Sequence, residues 1–166
     1  NDLYWNANSS GEGLGWSPVY QFTGIFDGNG FEIKNLYINR SSQDNIGLFG
    51  RIDNSTIQNV SLIGPLAEVK GRNFVAGLVG RIGSNSFITN SSVALNITGK
   101  QYVAGLIGYG ESNITLEGNY NVGSILGSYG VGGLVGYLGN TSVIRKNFNT
   151  GNVTNIGSYT GGVVGY

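Results

Sequence analysis

The side chains best equipped for acid–base chemistry in this chain are nine carboxylates: Asp2, Glu12, Asp27, Glu32, Asp44, Asp53, Glu68, Glu111 and Glu117. Glycoside hydrolysis uses two such groups held roughly 5–10 Å apart, but these nine do not return at a common position of any period, and no pair is set apart. The chain has no histidine and no cysteine, so the usual general base near neutral pH and the thiol nucleophile are both missing. Asp27 and Asn29 in "FDGNG" could offer two oxygen ligands to calcium, which takes about six to eight. The same sequence suits a tight turn. The reading is therefore a non-enzyme with no cofactor and no metal.

Recognition chemistry is better represented. Arg51, Arg81, Tyr109, Tyr137 and Tyr166 each follow a recurrent glycine. Together with Phe74, Tyr102 and Tyr159 they could stack on sugar rings, or equally on one another. Asn-x-Ser/Thr, the acceptor pattern for N-glycosylation, occurs at Asn8, Asn39, Asn54, Asn59, Asn90, Asn96, Asn113, Asn140 and Asn152. Random placement of the 21 asparagines among 25 Ser and Thr would give about 3 such sites. The excess points to a glycosylated surface, although strand-and-turn composition also brings these residues together.

Nine basic residues balance nine acidic ones, and charged residues are only 11% of the 166, against about 25% in ordinary globular chains. Nothing here attracts nucleic acid. No apolar run is long enough to insert into a membrane. The first residue is Asn1 rather than methionine, which reads as a processed or excised piece.

What positions these groups is a repeat. "IGLFG", "FVAGLVG", "YVAGLIG", "GGLVG" and "GGVVG" align on Gly47, Gly77, Gly105, Gly133 and Gly162, with spacings of 30, 28, 28 and 29 residues. Periods of this size mean solenoids or propellers. β-branched residues are frequent, glycine interrupts every window, and no 3.6-residue period is sustained, so the repeat is built of short strands. Stacked turns place equivalent residues about 4.8 Å apart. Leu48, Leu78, Leu106, Leu134 and Val163 are then expected to form an internal aliphatic stack. Asn59, Asn90, Asn119 and Asn147 should form an amide ladder, with the Arg/Tyr column outside. The bracketing glycines are expected to supply positive φ at corners. Ala76, Ala104, Gly132 and Gly161 keep the core thin. The solenoid spans 20–166, with repeats starting near 45, 74, 102, 130 and 159, and residues 1–19 form a lead-in or cap.

"GLVG", "GLIG" and "GLFG", followed by an Ile–Asn stretch and "TGNV" (150–153), resemble the GLUG repeats of bacterial surface adhesins, filamentous cell-surface proteins and secreted immunoglobulin A1 peptidases. "FTGIFDGNGFEIKNLYI" (22–38) is similar to the opening coil of right-handed parallel β-helices. The resemblance implies an all-β, right-handed parallel β-helix (β-solenoid) of about five to six coils of 28–30 residues. It also implies an extracellular or cell-surface setting and a structural or adhesive role without catalysis. The expected partners are further copies, in a head-to-tail or lateral filament, or surface glycans. The first repeat departs from the pattern at "NVSLIGPLAEVKGRN" (59–73), where Pro65 predicts an irregular loop. Two further expectations concern covering. Apolar residues on both faces of "GLVG" call for a cover, whether another strand, residues 1–20 or a second subunit. The end at "GGVVGY" calls for a following segment or a docked copy.

Overall fold

The computed structural model describes residues 13–166. Of the lead-in expected over 1–19, residues 1–12, with Asp2, Asn8 and Glu12, lie outside the described residues. The described chain is all-β. Its twenty strands make three parallel sheets of eight, five and seven strands, stacked as a β-solenoid of about five turns.

Each turn crosses five stacks. Asn73–Ala76 and Gln101–Ala104 belong to the first, with the second halves of Ile125–Gly132 and Val153–Gly161 below them. The second holds the start of Phe49–Gln58, then Val79–Ile82, Ile107–Gly110 and Val135–Leu138. The third holds Phe22–Asp27, the end of Phe49–Gln58, Ser86–Thr89, Ile114–Glu117 and Val143–Arg145. The fourth holds Glu32–Lys34, Ser61–Ile63, Ser92–Val93, Tyr120–Asn121 and Phe148–Asn149. The fifth holds Tyr37–Asn39, Glu68–Lys70, Asn96–Thr98 and the first halves of Ile125–Gly132 and Val153–Gly161.

Asparagine is abundant because the corners need it. Asn54, Asn85, Asn113 and Thr141 have φ between 45° and 60° where the second stack turns into the third. Asn59, Asn90, Gly118 and Lys146 have φ between 49° and 68° at the next corner. These are left-handed positions, which Asn and Gly tolerate best. Within 59–73, Ser61–Ile63 and Glu68–Lys70 pair in register above and below, but Leu62 and Val69 stand seven residues apart where their register partners Val93 and Ile97, or Asn121 and Ile125, stand four apart. The three extra residues make the irregular loop expected there: Pro65 and Leu66 form an outward turn closed by the Ala67 N–H donating to Gly64 O, with Leu66 exposed, and such a turn requires no backbone hydrogen bond from proline.

The repeated heptad is a corner too. The Leu48 N–H donates to Gly77 O at 3.0 Å and the Val79 N–H to Leu106 O at 2.8 Å, and the Leu106 N–H donates to Leu134 O at 3.0 Å. The leucines therefore lie directly over one another, and all four are at most 4% exposed, with Val163 partly buried below them. The first-stack strand ends at Ala76 and the chain bends at Gly77–Leu78 before Val79 opens the next strand. The bend turns both Leu78 and Val79 inward, each 0% exposed. The external cover expected for a strand apolar on both faces is therefore not needed at this position.

Neither bracketing glycine has positive φ, which corrects the corner role expected for them. They are required by close approach instead. The first receives a side chain from across the core. A Cβ on Gly77 would lie 2.7 Å from Val93 Cγ1, one on Gly105 2.7 Å from the Asn121 carboxamide carbon, and one on Gly133 2.4 Å from that of Asn149. The second lies against main chain. A Cβ on Gly80, Gly108 or Gly136 would sit 2.5 Å from the carbonyl carbon of Asn45, Phe74 or Tyr102.

At the top of the stack, Gly15 bridges Ile38 in antiparallel fashion, the Trp16 N–H donates to Tyr37 O, and Trp16 Nε1 donates to Leu48 O at 2.9 Å. Residues 14–16 thus cover the edge of the fifth stack, which would otherwise expose unpaired backbone groups.

Candidate functional site

The outward side chain after each second glycine builds one surface. Arg51 pairs with Arg81, Arg81 with Tyr109, and Tyr109 with Tyr137 in the strand register, and Tyr166 continues the line. Beside it stand Phe74, Tyr102, Tyr129 and Tyr159 at the corner leading into the first stack. Phe74, Tyr102 and Tyr159 hold φ of 56°, 53° and 63°, unusual for bulky side chains. In the fourth turn Gly130 takes that conformation and the ring moves one residue back to Tyr129.

The two files interlock. Tyr109 and Tyr137 stack at 4.6 Å, and Tyr137 stacks on Tyr166 at 5.4 Å. Tyr102 meets Tyr109, Tyr129 and Tyr137 edge-on at 5.5–5.6 Å, and Tyr159 meets Tyr166 edge-on at 4.6 Å. The Arg81 guanidinium caps the Tyr109 ring at 5.4 Å. Offset-stacked and edge-to-face pairs satisfy the ring quadrupoles. Burial among neighbouring rings, followed by the charges of adjacent tyrosines, pushes the Tyr102 and Tyr129 hydroxyls above their ordinary range. The sequence named every member of this wall except Tyr129, whose one-residue offset hid it from an alignment on the glycines. The rings turn much of their surface toward each other, so the wall works as a seam joining successive turns.

Two stacked arginines would repel, and two carboxylates settle them. Arg51 binds Asp53 at 2.7 Å, and Glu111 lies 2.9 Å from Arg81 and 3.5 Å from Arg51. The remaining described acids are similarly engaged. Asp44 takes a two-pronged contact from Arg72, 28 residues on. Glu117 binds Arg145 and Lys146, and Glu32 and Glu68 pair with Lys34 and Lys70. Asp27 accepts from Asn59 Nδ2, Gln58 Nε2 and the Asn29 N–H at 2.7–2.9 Å. Both its oxygens thus pin the turn. Among the described residues no group of three metal-ligating side chains gathers.

These contacts set a pH response. The Arg72 guanidinium holds Asp44 below the usual carboxylate range, Arg145 and then Lys146 do so for Glu117, and the amides of Asn59 and Gln58 for Asp27. A carboxyl depressed in the fold stabilises it above the unfolded pKa, and that contribution is lost as pH falls through the folded value. With no histidine to titrate, the urea midpoint is expected to stay level from about pH 5 to 8 and fall below about pH 4. Asp44→Asn should show a shallower fall. An identical acid slope in that variant would remove Asp44 from the account.

The amide ladder expected of Asn59, Asn90, Asn119 and Asn147 divides in two. Asn59 and Asn90 occupy a left-handed corner, where Gly118 and Lys146 stand below them. Asn119 and Asn147 come one residue later, under Ser91. Asn119 is 1% exposed. Its Oδ1 accepts the Ser91 N–H at 2.9 Å, and its Nδ2 donates to Ile88 O and to Asn147 Oδ1. Alignment on side-chain type alone misses this step of one position. A second internal pair went unread in the sequence. Asn121 and Asn149 continue the inward line of Ile33, Leu62 and Val93, and Asn121 Nδ2 donates to Asn149 Oδ1 at 2.8 Å. Outside, Asn85 joins Asn54 and Asn113 in a further chain of amides.

Among the acceptor asparagines, Asn54, Asn90, Asn96, Asn113, Asn140 and Asn152 are exposed, while Asn39 and Asn59 are half-buried.

Comparison with known proteins finds similarity to halomucin of Haloquadratum walsbyi, 35% identical over 121 residues, covering 54% of this chain and 1% of that protein. A Gly-rich membrane protein of Evansella cellulosilytica is 36% identical over 90 residues, covering 51% of this chain and 10% of its own length. The chain thus spans a small fraction of the curated relatives it matches. No family model matches it, and no solved structure matches it significantly.

Proposed function

We propose that this chain is a non-catalytic structural segment of a surface protein, a stiff β-solenoid of the GLUG-repeat type that holds its faces at a fixed spacing and self-associates along its sides or ends. The observation that carries this reading is the registry of the turns. Backbone bonds, the aromatic seam and ion pairs 28 to 30 residues apart all tie each turn to its neighbour, and Asp27, Asp44, Glu111 and Glu117 are spent in doing so. The names of the two relatives, one a halomucin and the other a membrane protein, support a surface setting.

The exposed acceptor asparagines support a further layer, in which glycans cover the corners. Two measurements on native material test the reading. Negative-stain microscopy should show filaments or laterally associated rods, and an intact mass should exceed the bare polypeptide by whole hexose-sized increments. Isolated particles at high concentration would defeat self-association, and a bare mass would defeat the glycan layer.

A further inference from the structure

We propose that the groove along the corner between the third and fourth stacks binds an uncharged saccharide. This site is separate from the aromatic seam and does not depend on the scaffold reading.

The groove arises from a change of side-chain size down one stack. Ser61, Ser92, Tyr120 and Phe148 follow one another in the strand register. Tyr120 and Phe148 stack at 5.1 Å with planes 3° apart, so Phe148 covers one face of Tyr120. The residue stacked on the other side is Ser92, which has no ring. The space a third ring would fill is left as a cavity of about 290 Å³, with Asn29, Asn59, Asn90, Ser61, Ser92 and Tyr120 on its walls.

The chemistry of the walls selects the ligand. None of these six side chains is charged, which disfavours phosphate, carboxylate and ammonium groups. Asn90 is exposed and makes no side-chain hydrogen bond among the described residues, and neither does the Asn29 side chain, while Ser92 Oγ reaches only Ser61 Oγ at 3.2 Å. Carboxamides and hydroxyls both donate and accept, as sugar hydroxyls do. The open face of Tyr120 carries the negative side of the ring quadrupole, which suits the C–H face of a pyranose. A sugar ring stacked on Tyr120 takes the place of the missing third aromatic, with its hydroxyl rim against Asn59 and Asn90. Rungs about 4.8 Å apart let an oligosaccharide run along the axis.

The test uses the whole chain made without N-glycosylation, because Asn59 and Asn90 are themselves acceptor sites. Amide chemical shifts are followed on titration with the methyl glycosides of glucose, galactose, mannose and N-acetylglucosamine and with their trisaccharides. At least one should shift the resonances of Ser92, Asn90 and Tyr120, with a dissociation constant of about 1 mM or tighter. Tyr120→Ala should weaken it by about tenfold or more. Ser92→Phe, which extends the ring stack, should block it while leaving the amide shifts of the core strands in place, and Tyr109→Ala on the seam should leave it unchanged. No shift with any of these sugars at about 50 mM, equal binding by Ser92→Phe, or shifts produced only by an acidic sugar, a nucleoside or a peptide would overturn the proposal.

Discussion

Gly108→Ala is expected to cost about 3 kcal/mol in urea unfolding, whereas Gly162→Ala, at the equivalent of the first glycine in the last repeat, should change stability by less than about 0.5 kcal/mol. The two substitutions add the same methyl group to the same repeated motif. At Gly108 it would lie 2.5 Å from the Phe74 carbonyl carbon, 2.6 Å from Val75 N and 2.7 Å from Gly80 O. All three are main-chain atoms held by the neighbouring turn, so no rotamer change relieves the clash. At Gly162 nothing lies within 4 Å. Neither glycine has positive φ, so backbone strain does not confound the comparison. Equal losses at both positions would mean that glycine acts here through chain conformation, and the close-approach account would fail.

Asn119→Leu is the second large effect, about 3 kcal/mol of lost stability despite similar side-chain volume. The substitution removes the acceptor of the buried Ser91 N–H and the amide that bridges Ile88 O to Asn147 Oδ1. Leaving a buried polar group unpaired costs about 1–3 kcal/mol, and here at least two are affected. Asn119→Ser should recover most of the loss, because a turn earlier Ser91 Oγ already accepts the Val60 N–H at 3.2 Å and donates to Thr89 O. Thermal unfolding of the two variants beside the parent decides it. If leucine is tolerated as well as serine, these amides are spectators.

The fold was legible because its signal is redundant: five copies of one glycine-bracketed motif fix the turn length, and the alternating segments between them fix the strands. The aliphatic stack and the Arg/Tyr column followed directly from that alignment. What could not be read was rotation at single residues. "GLVG" looks like a strand apolar on both faces, and only a bend at Gly77–Leu78 makes both faces internal. Asn59 and Asn119 look equivalent, yet one turns the chain at a corner and the other, a position later, points inward. Tyr129 joins the seam from an offset of one because Gly130 has taken the left-handed conformation. The groove over Tyr120 was invisible for a different reason: it is made by the smallness of Ser92, and an alignment that looks for repeated side chains passes over a place where the repetition stops.

The corner residues Phe74 and Tyr102 share one backbone conformation, one seam and one relation to the glycines beneath them. A crossover between the gene segments encoding these two corners would excise residues 74–101 and join Asn73 to Tyr102, removing one whole turn while the strands on either side meet equivalent partners. Arg51 already lies 3.5 Å from Glu111, so even the ion pair that Arg81 supplied has a substitute. Because each turn contacts chiefly its neighbours, stability in such an array adds turn by turn. Reach is therefore a heritable variable that changes in quanta of one rung, without a new core having to evolve.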